Sequence, residues 1–179
     1  MKKNKLNYLV IHCTATPEGR HTTKDDIIRW HTNPKHLGGR GWNRPGYADM
    51  VYLDGALVNL IPFDTDDYVD LWEISNGVAG LNGNARHIVY VGGMDEHNQH
   101  PKDTRTEGQT DTLDVYVKYT IIRHPEILVL GHNEAPNADG KACPSFSVSD
   151  WLRSIGVSEK NIYVKESGST ADPNVKMHP

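Results

Sequence analysis

Cysteine is scarce in this chain. Of 179 residues only Cys13 and Cys143 are cysteine. Two cysteines do not make a disulfide framework, and a cytosolic place of synthesis is the simpler expectation. Blocks of lysine and arginine are missing too, and the formal net charge is −4. That balance argues against nucleic acid as the main partner. Long apolar runs are also lacking: no stretch approaches the ~20 residues of a membrane span. The opening Met1-Lys2-Lys3-Asn4-Lys5 is basic, like the start of an export signal. The apolar run after it, Leu9 to Ile11, is interrupted at once by His12. It therefore reads as a strand, with no signal peptide expected. Internal repeats and low-complexity segments do not occur. The length suits one domain with a real core and is short for two.

Taken in order, the chain alternates strand-like and helix-like segments. Leu6 to Thr14 is a near-continuous apolar run, which belongs in the middle of a sheet covered on both faces. Period-2 geometry sends His12 and Cys13 to opposite faces, so only one of them can join a given site. His12 lies at the strand's C-terminal end, where α/β sheets place ligands. Cys13 reads as a small buried hydrophobe. Thr22 or Thr23 can cap a helix with Asp25 and Asp26 in its first turn, and His31 beside Trp30 reads as a packed, hydrogen-bonded histidine. Asp54-Gly55 between Met50–Leu53 and Ala56–Ile61 predicts a hairpin, with Tyr47 at its mouth.

The acidic segment from Pro62 to Ile74 lacks calcium-loop spacing and reads as a loop with a short helix presenting a solvated face. Ser75 to Arg86, rich in Gly and Asn, is placed along a groove. His87 to Gly93 is a second buried strand. Gln109 to Arg123 is the longest helix, with Leu113, Val117, Thr120 and Ile121 on one face. Ile127 to Leu130 is the last strand, and His132 stands just past its end. Ser147 or Ser149 caps a final helix, Asp150 to Ile155, closed by Gly156. The polar stretch 164–179 reads as a tail outside a domain of residues 1–163. The expected fold class is α/β: a single domain with a central mixed sheet flanked by helices.

Chemistry gathers at the C-terminal end, in Gly131-His132-Asn133 and Lys141-Ala142-Cys143-Pro144-Ser145-Phe146. Histidine and cysteine suit zinc. If the first and last strands are parallel neighbours, His12 and His132 converge at one rim of the sheet. Three protein ligands, His12, His132 and Cys143, leave a fourth tetrahedral position open, as in catalytic zinc sites. Hydrolysis also needs proton handling and oxyanion stabilisation. Tyr47 offers a hydroxyl and Lys141 a cation for those roles.

His12-Cys13-Thr14-Ala15-Thr16, Gly46-Tyr47, Val91-Gly92-Gly93-Met94-Asp95, Gly131-His132-Asn133 and Lys141 to Phe146, in that order, resemble the type 2 N-acetylmuramoyl-L-alanine amidases. That group includes the phage lysozyme-amidases and the peptidoglycan recognition proteins. The likeness runs from about Leu6 to Ile155. It implies zinc on His12, His132 and Cys143, assistance from Tyr47 and Lys141, and hydrolysis of the amide between N-acetylmuramic acid and L-alanine. It also implies a peptidoglycan (muropeptide) substrate for a protein expected to be a monomer, made in the bacterial cytoplasm and acting on the wall after release. The chain departs from the family pattern at three places. Ala48 stands where a histidine usually follows Gly-Tyr, Asn76-Gly77-Val78 where another histidine is common, and His87 where the strand often opens with Gly. These departures resemble a phage or prophage branch of Bacteroides type, and His87 reads as filling the space of a missing side chain. Three rivals stand beside the amidase: a non-catalytic peptidoglycan-binding module, a zinc peptidase cutting within the stem peptide, and a structural zinc site using Cys13 as a poor fourth ligand.

Overall fold

The computed structural model describes residues 4–136, 138 and 140–165. In chain order its elements are β1 (Asn4–Lys5), β2 (Tyr8–Cys13), β3 (Thr16–Pro17), α1 (Lys24–Thr32), β4 (Asp49–Val51), β5 (Leu57–Asn59), β6 (Tyr68–Val69), β7 (Ala85–Tyr90), β8 (Gly93–Met94), α2 (Glu107–Arg123), β9 (Leu128–Gly131) and α3 (Val148–Ser154). The main sheet has five strands in the order β5-β4-β7-β2-β9. β4, β7, β2 and β9 run parallel, and β5 adds an antiparallel edge through the Asp54-Gly55 hairpin. The mixed α/β single domain expected from the alternation of segments is present. Two further pairs, β1 with β6 and β3 with β8, are two residues long each.

The helices form where capping chemistry starts them. Thr23 caps α1 and Thr106 caps α2, each in a reciprocal capping box with Asp26 and Gln109. Ser147 caps α3. Such caps contribute about 1 kcal/mol each.

Alternation along the strands gives the two faces of the sheet different jobs. One face presents Leu9, Ile11, Ile88, Tyr90 and Val129 to α2 and α3, whose Leu113, Val117, Trp151 and Leu152 complete the principal core. Cys13 belongs to this face, as its parity with Leu9 and Ile11 requires. The other face carries two smaller apolar patches. Val10, Ala85 and Leu130 pack under Val78, Ala135 and Ala138. Met50, Val89 and Val91 pack under Ile27 of α1. Between them, on the same parity, lie His12 and His87, both fully buried. α1 has only nine residues and covers one end of this face. The polar centre borders a cleft.

The short helix expected within Pro62 to Ile74 does not form among these residues, and its acidic face is not uniformly solvated. Glu73 is buried, and its carboxylate accepts the Asp64 and Asp70 N–H groups, both at 2.8 Å. Asp64 and Asp66 each accept an N–H two residues on. Short acidic side chains compete for backbone donors in this way, and so favour turns over helices.

Candidate metal centre and cleft

Strand register sets the centre. β2 and β9 pair in parallel with Ile11 opposite Gly131, so His12 and His132 leave the sheet at the same level. Their rings stand 4.8 Å apart, edge to face. The rim at the C-terminal ends of parallel strands is where open α/β sheets place their sites.

Cys143 arrives from the loop before α3, and several bonds hold that loop down. Asn133 donates its N–H to the Cys143 carbonyl at 2.7 Å, and Tyr90 donates its hydroxyl to the Pro144 carbonyl at 2.7 Å. The Ser145 hydroxyl donates to the Gly93 carbonyl at 2.8 Å. Glu134 braces the opposite side, accepting the N–H groups of Gly131 and Ser149, both at 2.9 Å. Gly131 is required by close approach: a Cβ there would stand 2.5 Å from Asn133 Oδ1 and 2.9 Å from the Val148 side chain.

The Cys143 sulfur accepts the Cys13 N–H at 3.3 Å and lies 3.7 Å from His12 Nδ1. One ligand atom from each of His12, His132 and Cys143 falls within 4.8 Å of the others, and this is the one such cluster among the described residues. A tetrahedral zinc with ordinary bond lengths holds its N and S ligands about 3.3 to 3.7 Å apart. The His12–Cys143 separation matches that span. The donor set, two imidazoles and a thiol, also suits zinc. The residues fit the ion.

Electrostatics leave the two histidines ready to ligate and the cysteine protonated. Burial holds the His12 imidazole well below its ordinary pKa, and the neighbouring imidazoles add to this. Burial lowers His132 as well, helped by the Lys141 ammonium. Both rings are therefore neutral at pH 7 and keep a lone pair for a metal. The Cys143 thiol is pushed up by its contact with the Cys13 sulfur and by burial. Binding a metal there must displace its proton.

A cleft of about 460 Å³ opens beside the centre, lined by Tyr47, His132, Lys141, Arg40, Trp42 and the Asn76–Ala79 segment among others. Of the Ser75 to Arg86 stretch, expected to line a groove, Asn76 to Ala79 and Asn82 do so, while Arg86 borders a different cavity. Tyr47 packs its ring 5.0 Å from His12 and 5.2 Å from His31. Burial and the nearby thiols push its phenol pKa up, so it remains a proton donor. His31 is packed as expected, accepting the Gly46 N–H at 3.0 Å. Lys141 is exposed on the cleft's margin. Cys13 stays outside the ligand cluster.

Sequence reading missed Arg40 and Trp42, stacked with the guanidinium 5.1 Å from the indole. Both sit in an irregular Gly-rich stretch without periodicity, and only the fold shows which wall they face. It also missed the direct contact between His87 and His12, at 3.0 Å between Nδ1 and Nε2. A second cavity of about 400 Å³, bordered by Phe63, Arg86 and Tyr116, lies away from these groups and shares no lining residue with the cleft.

No family model matches the chain, and no curated protein matches it. Solved structures do. The N-acetylmuramoyl-L-alanine amidase LysC from Clostridium intestinale URNW aligns at 20% identity and TM-score 0.61, over 87% of this chain and 88% of that one. The Ph2119 endolysin from Thermus scotoductus MAT2119 bacteriophage Ph2119 aligns at 22% identity and TM-score 0.61, over 88% of each chain. Drosophila peptidoglycan recognition protein SA aligns at 10% identity and TM-score 0.62, over 93% of this chain and 87% of that one. The chain thus has, over nearly its whole length, the fold shared by N-acetylmuramoyl-L-alanine amidases and peptidoglycan recognition proteins.

Proposed function

We propose that this protein is a zinc-dependent peptidoglycan hydrolase of the N-acetylmuramoyl-L-alanine amidase type. The bond cut is the amide joining the lactyl group of N-acetylmuramic acid to the L-alanine of the stem peptide. The observation that carries this reading is the convergence of His12, His132 and Cys143 beside a cleft whose lining includes Tyr47 and Lys141. Pure recognition of the wall does not call for a three-ligand donor set with a coordination position to spare.

His12, His132 and Cys143 would hold the zinc. An ion so held supplies Lewis-acid polarisation and a nucleophile usable at neutral pH. Tyr47, kept protonated by burial, donates a hydrogen bond to the oxygen that gains charge as the amide carbonyl becomes tetrahedral. Lys141 places a fixed cation on the same margin of the cleft and supports that charge. Water adds its oxygen to the carbonyl carbon, the C–N bond breaks, the lactyl group leaves as a carboxylic acid, and the alanine amine departs with the proton that the water gave up. In this reading the protein is a monomer that meets its substrate once released to the wall, as a lysis enzyme does.

Turbidity of purified cell-wall sacculi tests the proposal. Zinc-replete protein is expected to clear them, whereas chelated protein and Cys143→Ala leave them turbid. Clearing that survives chelation would sink the metal mechanism. Tight sedimentation with sacculi but no clearing would move the protein to a recognition role.

A further inference from the structure

His12 uses both ring nitrogens. Nδ1 faces the Cys143 sulfur at 3.7 Å, and Nε2 lies 3.0 Å from His87 Nδ1. Two neutral imidazoles joined this way need one donor and one acceptor. A ligating nitrogen carries no proton. His12 bound through Nδ1 therefore holds its proton on Nε2 and donates it to His87 Nδ1. His87 then keeps its own proton on Nε2.

The surroundings of His87 are shaped for this arrangement. Register puts Val10 opposite His87 and His12 opposite Val89, so the two rings are diagonal neighbours on one face. Beside His87 stands buried Ala48, whose N–H donates to the His87 carbonyl at 2.8 Å. Gly77 forms the seat: a Cβ there would stand 2.3 Å from His87 Nδ1. The ring is fully buried, and its Nε2 meets no partner among the described residues. The contact it does make is with His12.

We propose that His87 is a positioning residue of the metal centre: its Nδ1 accepts the His12 Nε2 proton and fixes His12 in the tautomer that presents Nδ1 to zinc. The inference rests on the metal reading of His12, His132 and Cys143. It also accounts for two sequence departures together. His87 occupies a strand position often held by glycine, next to an Ala48 that leaves the room free.

Zinc affinity of the full chain, measured by chelator competition, tests this without reference to catalysis. His87→Leu keeps bulk and removes the acceptor; His87→Asn keeps an acceptor oxygen near Nδ1. The leucine variant is expected to bind zinc about 10- to 100-fold more weakly, the usual effect of losing an orienting partner. The asparagine variant should lie closer to wild type than to leucine, with melting temperatures of the metal-free proteins as the folding control. Equal affinity in wild type and leucine variant overturns the proposal, and so does an asparagine variant no better than leucine. Wild type that binds no zinc overturns the metal reading itself, which separates the two failures. Should the leucine variant not fold, ring ¹⁵N spectra of zinc-loaded wild type decide. Protons on Nε2 of both histidines, with coupling across the Nε2–H···Nδ1 bond, are expected. A proton on His87 Nδ1 contradicts it.

Discussion

Cys143 is where backbone architecture and chemistry meet most tightly. Its carbonyl, its sulfur and the carbonyl of the next residue are each bonded to a different part of the fold. Replacing the thiol alone should therefore spare the fold and remove the metal. Cys143→Ala is expected to lose stoichiometric zinc by elemental analysis while its metal-free circular dichroism is unchanged. Tyr47→Phe removes only the hydroxyl from a ring that packs on His12 and His31. If Tyr47 stabilises the oxyanion, kcat falls by about 10²- to 10³-fold, the usual effect of losing one such donor, with KM little changed. Steady-state kinetics on a defined muropeptide would check this. An unchanged kcat would leave Tyr47 a packing residue. The three clustered side chains were legible in the sequence because each ends a strand or sits in a tight loop beside one. The partnership of His87 with His12 was not. It depends on which strand lies beside which and in what register, and alternation within either strand alone does not reveal it.

Elements here are joined by polar as well as apolar contacts. Asp49 of β4 and Arg86 of β7 form an ion pair at 2.7 Å, both nearly buried, and Tyr116 of α2 donates its hydroxyl to the same carboxylate at 2.6 Å. Removing one partner leaves an uncompensated buried charge. Asp49→Ala should cost about 3 to 5 kcal/mol, read as a lower urea midpoint. A loss within about 0.5 kcal/mol, typical of surface changes, would show the pair to be marginal. The helices and the hairpin were readable because caps and the Asp-Gly turn act locally. The segment from Pro62 to Ile74 misled for the opposite reason. Its carboxylates find backbone donors within a few residues, and Glu73 is taken inward, where charge counting places a solvated face.

At the scale of the whole molecule, the alternation of segments made a mixed sheet with helices legible. The strand order β5-β4-β7-β2-β9 was not, since it is set by contacts far apart in sequence. That order nonetheless brings His12 and His132 together, as their places at strand ends suggested. The buried histidines also tie stability to pH. Burial lowers His31 to about 4 and His87 to about 3, and holds His12 low as well. Below an unfolded value of about 6.5 the unfolded chain takes up protons that the folded chain refuses. The stability these neutral rings contribute is present above pH 6.5 and is lost as pH falls through about 4 toward 3. Metal-free protein should show falling urea midpoints across that window, and a flat profile would contradict the burial argument. Zinc, binding the folded state alone, should raise the melting temperature reversibly.

The measurement that reaches the central claim most directly is mass spectrometry of muropeptides incubated with zinc-loaded protein, chelated protein and Cys143→Ala. The account predicts free stem peptides beginning with L-alanine, formed only when both zinc and Cys143 are present. Fragments cut within the stem peptide would make this a peptidase, and intact muropeptides would contradict catalysis at this centre altogether.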